Sequence, residues 1–162
     1  MTYTGEVQVG GAPAVRTLQE LTITKVAVDE KMANNAYLLR CHATGEQLLV
    51  DAADDADALL ALVGDGGLAT VVTTHQHWDH HRALAAVVAA TGASTVAGAP
   101  DADAITEQTG VAVDVRVEHE DVVRVGACEL NVIRITGHTP GSIALAYHDP
   151  APGGSWHLFT GD

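Results

Sequence analysis

Four residues of metal-binding type fall within six positions: His75, His77, Asp79 and His80, in the run Thr74-His75-Gln76-His77-Trp78-Asp79-His80-His81. At this composition a His-x-His-x-Asp-His string is expected by chance ~0.002 times per chain, so composition does not account for it. Imidazole and carboxylate suit zinc, and also iron or manganese. Residues two apart in an extended segment point the same way, so His75 and His77 can present their rings to one ion. If the chain then turns near Asp79, that carboxylate and His80 can serve a second position nearby. Without an ion, four such groups are costly to bury together.

A second element, Gly137-His138-Thr139-Pro140-Gly141-Ser142, places one imidazole at the head of a loop fixed by two glycines and a proline. It is a candidate for a further metal ligand. A third, Thr160-Gly161-Asp162, sets an acidic residue after an apolar run and carries little weight alone. Ser142 lacks the Gly-x-Ser-x-Gly elbow of a serine nucleophile.

The elements around these motifs mix both periods. Residues 69–74 form a short apolar run typical of a strand buried on both faces, and α/β folds place their sites in loops at the carboxyl ends of such strands. Strands are expected at 18–28, 36–41, 47–50 and 94–97, then at 113–117, 122–125, 129–136, 143–147 and 156–160. The turn at 43–46 signals a hairpin between the second and third. Helices are expected at 54–63, 82–90 and 100–108, the first with acidic residues in its opening turn and the last with Pro100 at its start. Residues 1–17 read as a loose lead-in and 18–162 as one domain, an α/β layered sandwich of sheets covered by helices.

The chain has 162 residues, 47% hydrophobic and 18% charged, ordinary for a globular domain. Its net charge of −13 argues against nucleic acid or an anionic membrane as partner, since both need a basic surface. The sequence shows no apolar run long enough for a membrane span and no secretory signal pattern. Cys41 and Cys128 read as two free thiols of a reducing compartment, so a cytoplasmic location is expected. Of the remaining histidines among nine, His42 and His119 read as surface residues, His148 and His157 as structural. His81 reads as facing the helix side and Trp78 as a cover over the metal edge. Met32, with Lys31 and Ala33, reads either as a flap tip or as an ordinary hairpin loop.

Taken together, His75-x-His77-x-Asp79-His80, Gly137-His138-Thr139-Pro140-Gly141-Ser142 and Leu158-Phe159-Thr160-Gly161-Asp162 resemble the metallo-β-lactamase superfamily, in the family's order. The likeness covers about residues 18–162, including Asn34-Asn35-Ala36-Tyr37, and is strongest to the glyoxalase II (hydroxyacylglutathione hydrolase) branch. Cys128 lies on the wrong side of His138 for the antibiotic-hydrolysing branch with a cysteine ligand. The resemblance implies a four-layer αββα sandwich with a two-metal site at one edge. His75, His77 and His138 would hold the first zinc, Asp79 and His80 the second, and Asp162 would bridge both. Two departures stand out. His81-Arg82-Ala83 replaces the family's glycines, so the next helix is expected to start early. The family also supplies one more histidine to the second metal from further downstream, and this sequence stops at Asp162. The expectation is therefore a C-terminally incomplete sandwich with an exposed apolar sheet face, a weak second site and low activity on its own.

The activity so implied is hydrolysis of a small-molecule thioester or related ester by a metal-bound hydroxide, with Asp79 orienting the nucleophile. Three alternatives are a mononuclear iron oxidoreductase acting on a persulfide through His75, His138 and Asp162, a lactonase, and a metal-binding protein without turnover. The acyl group, the thiol carrier, the metal and the oligomeric state are not legible in the sequence.

Overall fold

The structure is a computed structural model and describes residues 4–161. Asp162, the expected bridging ligand, lies outside the described residues. Among the described residues, eleven strands form two sheets. The larger takes β1 (Ala14–Thr17), β2 (Leu21–Ala27), β3 (Asn35–Cys41), β4 (Gln47–Val50), β5 (Thr70–Thr73), β6 (Ser94–Gly98) and β7 (Val115–Val117) side by side in chain order. Its first four strands are antiparallel neighbours. From β4 onward the pairs are parallel. Parallel neighbours need crossover connections, and these hold α1 (Ala56–Val63), α2 (Leu84–Thr91) and α3 (Ala99–Thr109). The smaller sheet is antiparallel, ordered β11 (Trp156–Phe159), β10 (Ile143–His148), β9 (Cys128–Arg134), β8 (Val122–Val125).

Two apolar cores explain the layering. Alternate residues of the larger sheet, among them Ile23, Leu39, Val50 and Val72, meet Val125, Leu130, Leu145 and Phe159 of the smaller sheet. The opposite residues, Leu38, Leu49, Val71 and Ala97, pack under Leu59 of α1, Leu84 and Val87 of α2 and Ile105 of α3. Leu59, Leu84 and Ile105 are fully buried, and truncating such a side chain to Ala costs about 2–5 kcal/mol. Each helix is closed by a glycine that turns the chain back: Gly64, Gly92 and Gly110.

Two expectations change, and the expected incomplete layering is seen. The lead-in is ordered from Ala14, because β1 pairs with β2 from Ala14↔Lys25 to Thr17↔Thr22. The helix expected from residue 82 begins at Leu84, since the chain first makes a 3₁₀ turn over Trp78–His80 and a further turn after His81. Of the four layers, three are present among the described residues: helices, larger sheet, smaller sheet. No helix there covers the outer face of the smaller sheet, which leaves Trp156 and Leu158 exposed. Among the described residues, no helix is long and apolar enough to cross a membrane.

Candidate metal centre

The buried strand β5 ends at Thr73, and the chain runs extended through His77 (φ −64°, ψ 132°) before the 3₁₀ turn. That geometry places His75 and His77 on one side. The loop between β9 and β10 brings His138 to the same point. One ring nitrogen from each of His75, His77 and His138 lies within 4.8 Å of the others, His75 buried and the other two exposed. The Nε2 atoms of His75 and His138 are 3.3 Å apart. Two nitrogens ~2.05 Å from a tetrahedral zinc stand ~3.3 Å from each other, so the donor set fits such an ion.

Hydrogen bonds set which ring nitrogen carries the lone pair. Asp51 follows β4 as His75 follows β5, and it is buried at a left-handed φ of 62°. Its Oδ1 accepts the Thr74 backbone N–H at 2.8 Å and its Oδ2 accepts the Thr74 hydroxyl at 2.8 Å. With its only proton given to Asp51, Thr74 Oγ1 can only accept from His75 Nδ1, 3.0 Å away. The lone pair of His75 is therefore on Nε2, toward His138. Asp51 Oδ2 also accepts from His80 Nδ1 at 2.8 Å, leaving His80 Nε2 to face Asp79 Oδ2 at 3.5 Å. One carboxylate thus sets the tautomer of two ligand-type histidines, the role that outer partners play at metal sites.

Asp79 and His80 form a pair beside the three-histidine cluster, with the His80 ring centred 4.1 Å from that of His75. Asn34 donates to the Asp79 carboxylate at 3.0 Å and to its backbone carbonyl at 2.9 Å. Burial alone pushes the Asp79 carboxyl up. The Asn34 amide and the neighbouring His80 outweigh it and hold the group below the ordinary carboxylate range. Gly161 comes against the other side. A Cβ there would stand 2.2 Å from Thr74 Oγ1 and 3.0 Å from His75 Nδ1, so only glycine lets the strand end pass so close.

The two ligand loops are joined by Asp101 in the first turn of α3. Its fully buried carboxylate accepts the Gln76 N–H at 3.0 Å, the Thr139 hydroxyl at 2.6 Å and the Gly141 N–H at 2.8 Å. His81, buried, holds the Gln76 carbonyl through Nε2 at 3.0 Å, so it braces the loop. Trp78 is exposed and stacked by Arg82, whose Cζ is 3.7 Å from the ring centre. With Asp29, Lys31 and Asp55 these two line a cavity of about 500 Å³ beside the turn. The loop carrying exposed Met32 is braced by Asp29, which accepts the N–H groups of Lys31 and Met32 and pairs with Arg82 at 3.3 Å. The Lys31 and Met32 amides and Arg82 keep the Asp29 carboxyl below its usual range against burial. His42 and His119 sit outside the cluster, His42 bonded to Thr22 and Gln19 and His119 to the Arg134 N–H.

The sequence profile of the Metallo-beta-lactamase superfamily matches residues 30–151. The chain belongs to this superfamily. Among its relatives is a hydroxyacylglutathione hydrolase of Jannaschia sp. (strain CCS1), 35% identical over 130 residues, which are 80% of this chain and 47% of that protein. The hydroxyacylglutathione hydrolase of Fuscovulum blasticum is 39% identical over the same shares. The chain thus spans about half the length of the curated relatives it matches. Of solved structures, the subclass B3 metallo-beta-lactamase BJP-1 of Bradyrhizobium japonicum superposes with a TM-score of 0.67 at 21% identity, over 93% of this chain and 63% of its own. ETHE1 from Myxococcus xanthus gives 0.65 at 30% identity, over 76% and 52%. In this metallo-β-lactamase fold the histidine-bearing loops lie at the carboxyl end of β5 and at the β9–β10 connection, with Asp51 beside them after β4.

Asp51, Asp101 and the contact of Asn34 with Asp79 escaped the sequence reading. Asp51 carries a signal: an acidic residue directly after the apolar run Leu48-Leu49-Val50, the rule that singled out the loop after β5. Asp101 carries none beyond its place at a helix start.

Proposed function

We propose that the protein is a metal-dependent hydrolase of a small-molecule thioester or related ester, with zinc as its resident metal and Asp79 as a catalytic residue. The observation that carries this is the convergence of three imidazoles beside a carboxylate–imidazole pair, with the tautomers of His75 and His80 set by Asp51. In this reading His75, His77 and His138 would hold one ion, Asp79 and His80 would contribute to a second, and Asp162 would be a further ligand. When bound, the ions supply an acidified water and a Lewis acid for the carbonyl oxygen. The Asp79 carboxylate, kept ionised and held in place by Asn34, orients the attacking water and accepts its hydrogen bond. The exposed edges of His77 and His138 leave the approach open, and the cavity beside Trp78 and Arg82 gives the carrier portion of a substrate a wall to lie on. The thioester class is supported by the hydroxyacylglutathione hydrolases at 35–39% identity. The substrate is a small soluble molecule, and the location we infer is the cytoplasm.

The test is elemental analysis of the purified protein beside thioester, lactone and persulfide substrates, with His77→Ala as control. Thiol release from a thioester by zinc-loaded protein, with metal content and turnover both reduced in His77→Ala, supports the reading. Iron as the bound metal with oxygen uptake on a persulfide would replace it with the oxidoreductase. Lactone cleavage alone would move the substrate class. Bound zinc with no turnover on any substrate would make the chain a metal-binding protein.

A further inference from the structure

At the end of the sandwich away from the metal loops, the two cysteines meet. Cys41 closes β3, and its register partner Leu21 opens β2. Because β3 runs antiparallel to β4, Cys41 lies near the start of β4, whereas Asp51 and the ligand loops follow the ends of β4 and β5. Cys128 opens β9 in the other sheet. Both side chains are buried in the core between the sheets, 1% and 3% exposed. Both line one cavity, and Cys41 lies near enough to Cys128 to bear on its ionisation.

Their surroundings differ. The turn between β8 and β9 is seated on Cys41: a Cβ at Gly126 would lie 2.8 Å from its Sγ, and Ala127 N–H donates to that sulfur at 3.4 Å. Burial pushes the Cys41 thiol up, but the Thr44 hydroxyl and the N–H groups of Ala127, Thr44 and Ala43 outweigh it and bring the thiol down to about 6. Burial, with Cys41 beside it, pushes the Cys128 thiol up to about 11. Cys128 Sγ donates weakly to the Glu20 carbonyl at 3.6 Å. The donors around Cys41 thus favour its thiolate while burial favours the thiol of Cys128, the division that suits an attacking and a resolving cysteine. Both line a cavity of about 380 Å³ together with Gln19, Glu20, His42, Ala43 and Ala127. That volume admits a small hydroperoxide, whereas sulfurs so little exposed exclude in-line approach by a bulky disulfide.

We propose that Cys41 and Cys128 are a peroxide-reactive dithiol that closes to a disulfide joining the two sheets. The Cys41 thiolate attacks the distal oxygen of the hydroperoxide; the S–O bond forms, the O–O bond breaks, and the alkoxide leaves and takes a proton from water. Cys41 is then a sulfenic acid. Cys128 gives up its proton as its sulfur attacks Cys41 Sγ; the S–S bond forms, and hydroxide leaves with that proton as water. Two electrons pass from the thiol pair to one hydroperoxide, which becomes an alcohol (water, for hydrogen peroxide). The site needs no metal, so it stands apart from the hydrolytic reading.

The experiment treats the reduced 162-residue protein with stepwise hydrogen peroxide and reads intact mass and linked peptides. The exposed Met32 reports the dose through its sulfoxide. The expected result is loss of two hydrogens per chain and a peptide linking residues 41 and 128, before Met32 is oxidised. In Cys128→Ala the reaction should stop at a sulfenic acid on Cys41, trapped by dimedone. In Cys41→Ala the remaining thiol should stay reduced at the same dose. Both thiols still free once Met32 is oxidised, a disulfide between two chains, or oxidation of Cys128 in Cys41→Ala would each overturn the proposal. The wild-type measurement needs no variant to fold.

Discussion

Asp51 accepts three donors, the Thr74 N–H, the Thr74 hydroxyl and His80 Nδ1, and through Thr74 it reaches His75 as well. An asparagine tolerates the left-handed backbone that this position requires, so Asp51→Asn changes the chemistry and leaves the turn. The amide keeps one acceptor and turns an NH₂ toward groups that themselves donate. His80 is then free to place its proton on Nε2, the nitrogen that must stay bare. Loss of such a partner costs metal sites about 10–100-fold in affinity. We predict a loss of that size for zinc in Asp51→Asn, read by competition with a chromophoric chelator, with far-UV circular dichroism unchanged. Wild-type affinity would show that the tautomers are set by other contacts. The ligand-type histidines were legible because their spacing carries the geometry of an extended segment followed by a turn. Asp51 and Asp101 meet their partners 23 to 40 residues away, and no local spacing encodes such a contact.

At the scale of elements, the site is a junction of loops whose relative position rests on α3. Asp101 ties Gln76 in the first ligand loop to Thr139 and Gly141 in the second. The fit is close, since a Cβ on Gly98 would stand 2.1 Å from the Gly141 carbonyl. Asp101→Ala orphans two buried donors and one part-buried donor at once, a buried one being worth ~1–3 kcal/mol when left without a partner. We predict a loss of about 3 kcal/mol or more, a fall in Tm of roughly 6–12 °C for a chain of this length. His138 should also drift from His75 and His77, with weaker zinc binding at the three-histidine cluster. Thr139→Val removes one bond of the three and should give a smaller fall, and equal falls in the two variants would contradict this account. Most elements could be read from the sequence because each is a run with one period, as the apolar run of β5 and the spacing of Leu59, Leu60 and Val63 in α1 illustrate. β1 could not: its residues Ala14-Val15-Arg16-Thr17 are mostly exposed, so pairing with β2, and not burial, makes it a strand.

For the whole molecule, the consequence lies on the outer face of the smaller sheet. Side chains alternate along a strand, so Phe159 points into the core while Trp156 and Leu158 point out, both 59% exposed. Across the ladder Leu158 sits beside Ala146 and Trp156 beside His148, with ring centres 4.8 Å apart. Ala144 and Ile133 extend the same face, being register partners of each other. Ala144 and Ala146 are buried here, so the exposed apolar strip on this face is Trp156 and Leu158 with half-buried Ile133, where the larger sheet has a helical cover, and exposed strips of this kind drive association. We predict that the 162-residue chain associates with rising concentration, seen as an increasing sedimentation coefficient. The double variant Trp156→Ser, Leu158→Ser should stay monomeric over the same range. Its Tm should shift by no more than about 2–4 °C, because exposed substitutions change stability by roughly 0.5 kcal/mol or less each. The variant also separates two modes of contact. β11 is an edge strand as well as part of the face, and edge strands can pair through their backbones. Backbone pairing survives serine at both positions, whereas face-to-face packing does not. Association that persists in the double variant would therefore assign the contact to the β11 edge, and a wild-type chain that stays monomeric throughout would show that the strip does not drive association.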